Sequence, residues 1–300
     1  KLNGHKITNK ASDTFTVNHG SSLTIEGEGI VDNVTHARAC IYNNGKVLLN
    51  GGTYTRSLEN GQSDTNAGGN SYYNILNHGE MTINQSVSVS QSGKFSSMIA
   101  SGYYDYSNTN PRNGHVEGTN AAAPKLTING GTFSGGLNTI KNDDGATLEI
   151  KNGTFNNMSQ ATVQNHHVTT ISGGTFNCSG AKYAVDNEGH NDAKQDMGDM
   201  TIFGGIFSGL MLNVGNGADM TIIGGTFSDP GILQYLPKEG TANVKVALES
   251  DMTAPGFVTQ DGQMVEIDMN RHTLTFGNPT VGSPGTETNS CQLLKGSTVT

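Results

Sequence analysis

Leu126-Thr127-Ile128-Asn129-Gly130-Gly131-Thr132-Phe133 is the stretch from which the chain can be read. An apolar-x-apolar triplet is followed closely by Gly-Gly-Thr-Phe. The pattern returns as Leu148-Glu-Ile-Lys-Asn-Gly-Thr-Phe155, Thr169-Thr-Ile-Ser-Gly-Gly-Thr-Phe176, Met200-Thr-Ile-Phe-Gly-Gly-Ile-Phe207 and Met220-Thr-Ile-Ile-Gly-Gly-Thr-Phe227. The steps between first residues are 22, 21, 31 and 20. An earlier copy is Val47-Leu-Leu-Asn-Gly-Gly-Thr-Tyr54, while Leu23-Thr24-Ile25 and Met81-Thr82-Ile83 carry the triplet alone.

A second element lies between these triplets, of the form apolar-x-Asn and often followed by x-Gly. Its copies are Ile41-Tyr-Asn43, Ile75-Leu-Asn77, Ile140-Lys-Asn142, Val163-Gln-Asn165, Val185-Asp-Asn187 and Val214-Gly-Asn216. Ile99-Ala-Ser-Gly102 occupies the same slot. Period-2 segments rich in Thr, Ile and Val, punctuated by Gly or Asn, are short strands and turns. No helical stripe of useful length occurs. A unit of about 21 residues cannot bury its own apolar side, whereas stacked units can. The sequence therefore predicts an all-β chain, a right-handed parallel β-helix (β-solenoid) with coils of about 21 residues. Phe and Leu/Ile should line its interior, the Gly pair should bend the chain, and the Asn residues should form a column in a tight turn, each amide bonding the next coil.

These residues resemble the right-handed, pectate-lyase-like β-helical repeats of gut Firmicutes surface proteins and of phage fibre or structural proteins. The opening Leu2-Asn3-Gly4-His5-Lys6-Ile7 is similar to the segment that starts such stacks, and it recurs as Ile267-Asp-Met-Asn270-Arg-His272-Thr-Leu274. The resemblance implies a parallel β-helix over 1–235, cap or linker strands over 236–263, and the start of a second unit over 264–300. It also implies an extracellular, cell-surface or virion-surface location. It is weak for function, because that architecture hosts enzymes, adhesins and phage tailspikes alike.

Composition narrows the class. The 300 residues include 41 Gly, 26 acidic and 17 basic side chains, for a net charge of −9. The acidic balance excludes nucleic acid as an expected partner, since phosphate recognition needs clustered Lys and Arg. No apolar run is long enough to span a bilayer as a helix. The first residue is Lys1, with no initiator Met and no signal peptide, so we read the chain as a piece of a longer protein. Cys40, Cys178 and Cys291 are too few and too scattered for a disulfide framework, and read as buried thiols.

Insertions at about 55–70, 102–124 and 190–199 interrupt the coil period. If register holds, the second and third emerge on one side, roughly 14 Å apart at about 4.8 Å per coil. Between them lie Asp143, Asp144, His166 and His167. The second loop adds Tyr103, Tyr104 and Tyr106, and the third adds His190. Tyrosines stack on sugar faces, and carboxylates with imidazoles hydrogen-bond hydroxyls or do acid–base work. These eight are the ligand-binding candidates. The competing reading is that Asp and His are ordinary turn residues and the tyrosines pack the loop onto the coil.

No catalytic residues are assigned. The Asp cluster with Arg of pectate-lyase calcium sites is absent, as are the Asn-Thr-Asp and Gly-His-Gly motifs of polygalacturonase-like hydrolases. The expected function is a non-catalytic surface or fibre module, structural or adhesive, binding glycan or a host or cell surface. The alternatives are a polysaccharide lyase or glycoside hydrolase of the pectate-lyase-like fold, and a phage head or tail fibre protein. No cofactor is expected, and no metal set is assigned. Calcium at Asp192, Asp196 and Asp199 is a minor alternative with hard ligands but no recognised spacing. A trimeric fibre is compatible with the fold, but no heptad or trimer motif marks one.

Overall fold

The structure is a computed structural model that describes residues 1–56, 72–178, 182–189, 197–215 and 217–277, with the backbone of 292–293 and 298–299. It is a right-handed parallel β-helix. Each full coil contributes one strand to each of three sheets, and every strand pairs in parallel with its counterpart one coil away. The long sheet has 12 strands, running from Lys6–Asn9 through Thr132–Gly135 and Thr154–Asn157 to Thr298–Val299. The second sheet has 8, from Phe15–Val17 to Leu210–Gly215, and includes Asn138–Asn142, Ala161–Asn165 and Tyr183–Gly189. The third also has 8, from Ser22–Ile25 to Asp219–Ile222.

Because identical positions fall in register, identical side chains pile up. Phe133, Phe155, Phe176, Phe207 and Phe227 form one continuous stack inside the long sheet. Their ring centroids are 4.8, 4.8, 4.5 and 4.8 Å apart and their planes lie within 7° of parallel. Val31, Tyr54 and Val89 continue this column toward the N-terminus, and Val246 continues it beyond Phe227. Ile128, Ile150, Ile171, Ile202 and Ile222 fill the third sheet's side of the core. The second glycine of each Gly-Gly pair has a reason to be glycine. From Gly131 to Gly225 these residues sit at φ between 112° and 135°. A Cβ there would come within 3.0–3.3 Å of the ring of the Phe two residues on.

The Asn column forms as the repeat predicts. Each side-chain amide donates to its equivalent one coil further along: Asn43 to Asn77 (2.7 Å), Asn142 to Asn165 (2.9 Å), Asn165 to Asn187 (2.7 Å) and Asn187 to Asn213 (2.7 Å). Ser101 takes the slot in its coil and accepts from Asn77 at 2.9 Å. The last member corrects the sequence reading. It is Asn213 in Asn213-Val214-Gly215, paired with Asn187-Glu188-Gly189, and not Asn216. Net of the water each amide gives up, such a bond contributes about 0.5–1.5 kcal/mol, but an unmatched buried amide would cost more.

The second and third sheets stop near residue 222. A 3₁₀ helix, Pro230–Tyr235, then turns Ile232 and Leu233 into the core. Its Asp229 cap accepts from the Gly231 amide at 2.8 Å. The long sheet carries on through Ala242–Ala247 and Gln263–Asp268, flanked by the two-stranded pairs Met252–Ala254 with Leu274–Phe276 and Val258–Thr259 with Gln292–Leu293. Both copies of the opening motif make the same left-handed turn, at Asn3 (φ 50°) and Gly4 (φ 78°) and at Asn270 (φ 47°) and Arg271 (φ 69°). In each, the following His amide donates back to the carbonyl three residues earlier, His5 to Leu2 and His272 to Met269. The first turn leads into the long sheet. The second leads out of it into Leu274–Phe276.

Candidate functional site

The outer face of the second sheet carries the chemistry. Along each strand the inward residues are the apolar position and the ladder Asn. Lys141, Gln164 and Asp186 lie between them, in register with one another. Asp143, His166 and Glu188 each follow the ladder Asn. Two short polar files thus run side by side across three coils, and hydrogen bonds and ion pairs connect them. Lys141 Nζ lies 3.0 Å from Asp143 Oδ2. His166 reaches Asp143 Oδ1 with Nδ1 (3.5 Å) and Glu188 Oε2 with Nε2 (3.4 Å). The Gln164 amide donates to Asp186 and to Glu188, both at 3.3 Å, and Gln160 donates to Asp186 at 3.3 Å.

This network is buried: Asp143 is 2% exposed, His166 5% and Asp186 1%. Burial, and then the neighbouring Glu188 charge, push the Asp186 carboxyl up to about 6.

The loop over 102–124 folds down onto the coils. Tyr103 is wholly buried. Its backbone exchanges hydrogen bonds with that of Asp144 (3.0 Å each way), and its hydroxyl donates to the Ala121 carbonyl. Its ring packs on His78 at 4.5 Å, edge-on to Tyr106 at 5.6 Å. The Tyr106 hydroxyl donates to the Ala122 carbonyl at 3.1 Å, and His115 lies 5.3 Å from its ring. His78, enclosed by Tyr42 and Tyr103, is held neutral by burial, which lowers it to about 3. Arg112 ties the loop down. It pairs with Asp13, donates to the Tyr72 hydroxyl at 2.9 Å and lies 4.3 Å over the Tyr42 ring.

Tyr103 and Tyr106 therefore hold the loop in place. Tyr104 differs: it is 70% exposed, and Lys141 Nζ lies 5.8 Å from its ring centre. Asp144 accepts from the Tyr106 amide at 3.2 Å, beside Asp143 and His166. His167 turns away to the carbonyl of Ala146, at 2.9 Å. His190, Asp192 and Asp196 lie outside the described residues. Asp199 is in register with Asp219, and burial followed by that like charge raises its carboxyl. Cys40 and Cys178 are buried and not in disulfides, and Cys291 is outside the described residues.

Tyr104 forms one wall of an open cleft of about 300 Å³, lined also by Tyr72, Tyr73, Phe95, His36 and Asn113. A second groove of about 660 Å³ follows the turn glycines Gly20, Gly45 and Gly79, with His19, Lys125 and the Lys46–Glu80 ion pair (3.0 Å) along it. No protein-family model, no curated protein and no solved structure matches the chain. Among the described residues, no helix is long and apolar enough to cross a membrane.

Sequence reasoning brought together Asp143, Asp144, His166 and Tyr104 but missed Lys141, Gln164, Asp186 and Glu188. The available signal was positional, since these residues flank the ladder Asn at outward positions. It also missed the aromatic residues at 72, 73 and 95, which belong to no repeat.

Proposed function

We propose that the chain is a non-catalytic β-solenoid module of the pectate-lyase-like kind, displayed on a cell or virion surface, that binds glycan in the cleft beside Tyr104. The supporting observation is the cleft itself. Four aromatic rings, Tyr72, Tyr73, Phe95 and Tyr104, surround an open space of about 300 Å³, with His36 and Asn113 supplying polar contacts. Tyr104 and Phe95 are the most exposed aromatics there. Flat apolar faces with a few hydrogen-bonding groups suit a pyranose ring, which is apolar on its faces and polar at its rim. The loop is anchored by Arg112, so the cleft is formed before a ligand arrives.

A glycan-array screen tests this, followed by titration of the best hit against Tyr104→Ala and Phe95→Ala. We expect each variant to weaken binding about tenfold, ~1.4 kcal/mol. Binding unchanged in both variants overturns the cleft assignment, and cleavage of the glycan overturns the non-catalytic reading. A lyase or hydrolase reading would draw on Asp186, whose raised carboxyl beside Glu188 is the pairing that acid catalysis uses. Its near-complete burial keeps a glycosidic oxygen from reaching it, which favours the binding reading.

A further inference from the structure

Next to that cleft, but separate from it, is a cluster whose geometry the glycan reading does not use. One donor atom from each of Asp143, Asp144 and His166 lies within 4.8 Å of the other two. Asp143 and His166 are almost fully buried, and Asp143 Oδ1 makes no hydrogen bond, although it faces His166 Nδ1 at 3.5 Å. A carboxylate oxygen buried without a donor is costly unless something positive completes it.

Each member of the cluster is also held from behind. Lys141 fixes the other oxygen of Asp143 at 3.0 Å, the Tyr106 amide donates to Asp144 Oδ2 at 3.2 Å, and Glu188 Oε2 lies 3.4 Å from His166 Nε2. The last contact is the most specific. The 3.4 Å separation is an ion-pair distance and not a hydrogen bond, but the Glu188 carboxylate stands where it would favour a proton on Nε2, and a proton there would leave the Nδ1 lone pair facing Asp143 Oδ1, 3.5 Å away. That is the carboxylate–histidine arrangement that orients a metal-binding imidazole and raises its basicity. The donor set is two carboxylate oxygens and one imidazole nitrogen. It suits borderline first-row cations better than calcium, which prefers six to eight oxygens.

We propose that Asp143, Asp144 and His166 bind one divalent transition-metal cation, with zinc the best match, and that Glu188 orients the histidine. Three protein ligands leave a coordination position for water or for a ligand oxygen. The neighbouring Lys141 ammonium opposes the ion's charge, so the expected affinity is moderate.

The experiment is calorimetric titration of the chelator-stripped chain with zinc chloride, paralleled by cobalt(II) titration followed by visible d–d absorbance. One equivalent should bind, and a band of low-symmetry cobalt should appear. Asp143→Asn and His166→Ala should abolish both signals. Glu188→Gln, which removes only the orienting group, should weaken binding about 10- to 100-fold. His272→Ala, in the turn that follows Gln263–Asp268 and outside both the cleft and the cluster, should leave zinc binding unchanged. The proposal is overturned if the wild-type chain shows no saturable binding, which requires no variant to fold. It is overturned equally if one equivalent still binds in both ligand variants, or if calcium binds more tightly than zinc. Failure of glycan binding with intact zinc binding would count against the cleft alone.

Discussion

Removing the ring of Phe155 should be among the most damaging single truncations in this chain. Phe155 is fully buried, with Phe133 and Phe176 stacked against its two faces, each at 4.8 Å and within 7° of parallel. In Phe155→Ala those two rings would face each other across about 10 Å. They cannot close the gap, because the rung spacing is set by backbone pairing on either side, Thr132 to Thr154 and Thr154 to Thr175. The void therefore persists, which places the cost in the upper part of the usual Phe→Ala range, about 3–5 kcal/mol. Two aromatic contacts worth about 0.5–1.5 kcal/mol each are part of that loss. Urea unfolding followed by circular dichroism reads the change as a lower midpoint. A double-mutant cycle sharpens the test. Phe155→Ala with Phe176→Ala should cost less than the sum of the two by about 0.5–1.5 kcal/mol, whereas Phe155→Ala with Phe227→Ala, three rungs apart, should be additive within about 0.5 kcal/mol. A loss below about 1.5 kcal/mol for Phe155→Ala, or equal coupling in both pairs, would refute the ladder as the source of stability.

Asn165 donates to Asn187, to the His167 carbonyl and to the Asp199 carbonyl, and accepts from Asn142 and Thr169. Asn165→Leu strands several buried partners and should cost about 3–4 kcal/mol in the same unfolding assay, with a loss under about 1 kcal/mol counting against the column. Stability should also depend on pH through Asp186. Its folded carboxyl, at about 6, holds a proton more tightly than an unfolded aspartate near 3.9, so its contribution is most favourable below about pH 4. That contribution declines as pH rises through about 6 and then levels off, for a total of about 2–3 kcal/mol. The unfolding free energy of Asp186→Asn minus that of wild type should therefore grow between pH 4 and pH 7, and a flat difference would show that Asp186 is not destabilised by its surroundings.

The parts of the fold that a reader of the sequence could see are those that repeat. Phe133 to Phe227 and Asn142 to Asn187 announce themselves because one side chain does one job in every coil. The final ladder member was misplaced at Asn216 because two Asn-containing candidates stand close together, and the coil it copies has a register irregularity between Tyr183 and Val185. The site was half legible. Asp143, Asp144 and His166 could be gathered because the turn column stacks them. Their partners Lys141, Gln164 and Asp186 occupy one outward column, but each coil fills it with a different residue, so no repeat exposes it. Tyr103 and Tyr104 are adjacent in sequence and have opposite fates. Alternation sends the first inward against His78 and leaves the second at the cleft, and only the loop's path decides which is which.

Along the asparagine column the bonds all run one way: Asn43, Asn77, Asn142, Asn165 and Asn187 each give a proton to the following coil, and Asn77, Asn165 and Asn187 also take one from the preceding coil. The column thus has a head and a tail, and the Asn165 and Asn187 coils present the same donor on one side and the same acceptor on the other. Excising residues 148–168 would bring Thr169 into the place of Leu148, set Phe176 on Phe133 and leave Asn142 facing Asn187. Gain or loss of material is thus tolerated in whole periods and punished in fractions. Such a molecule can change its reach by copying itself, with no need to invent new contacts.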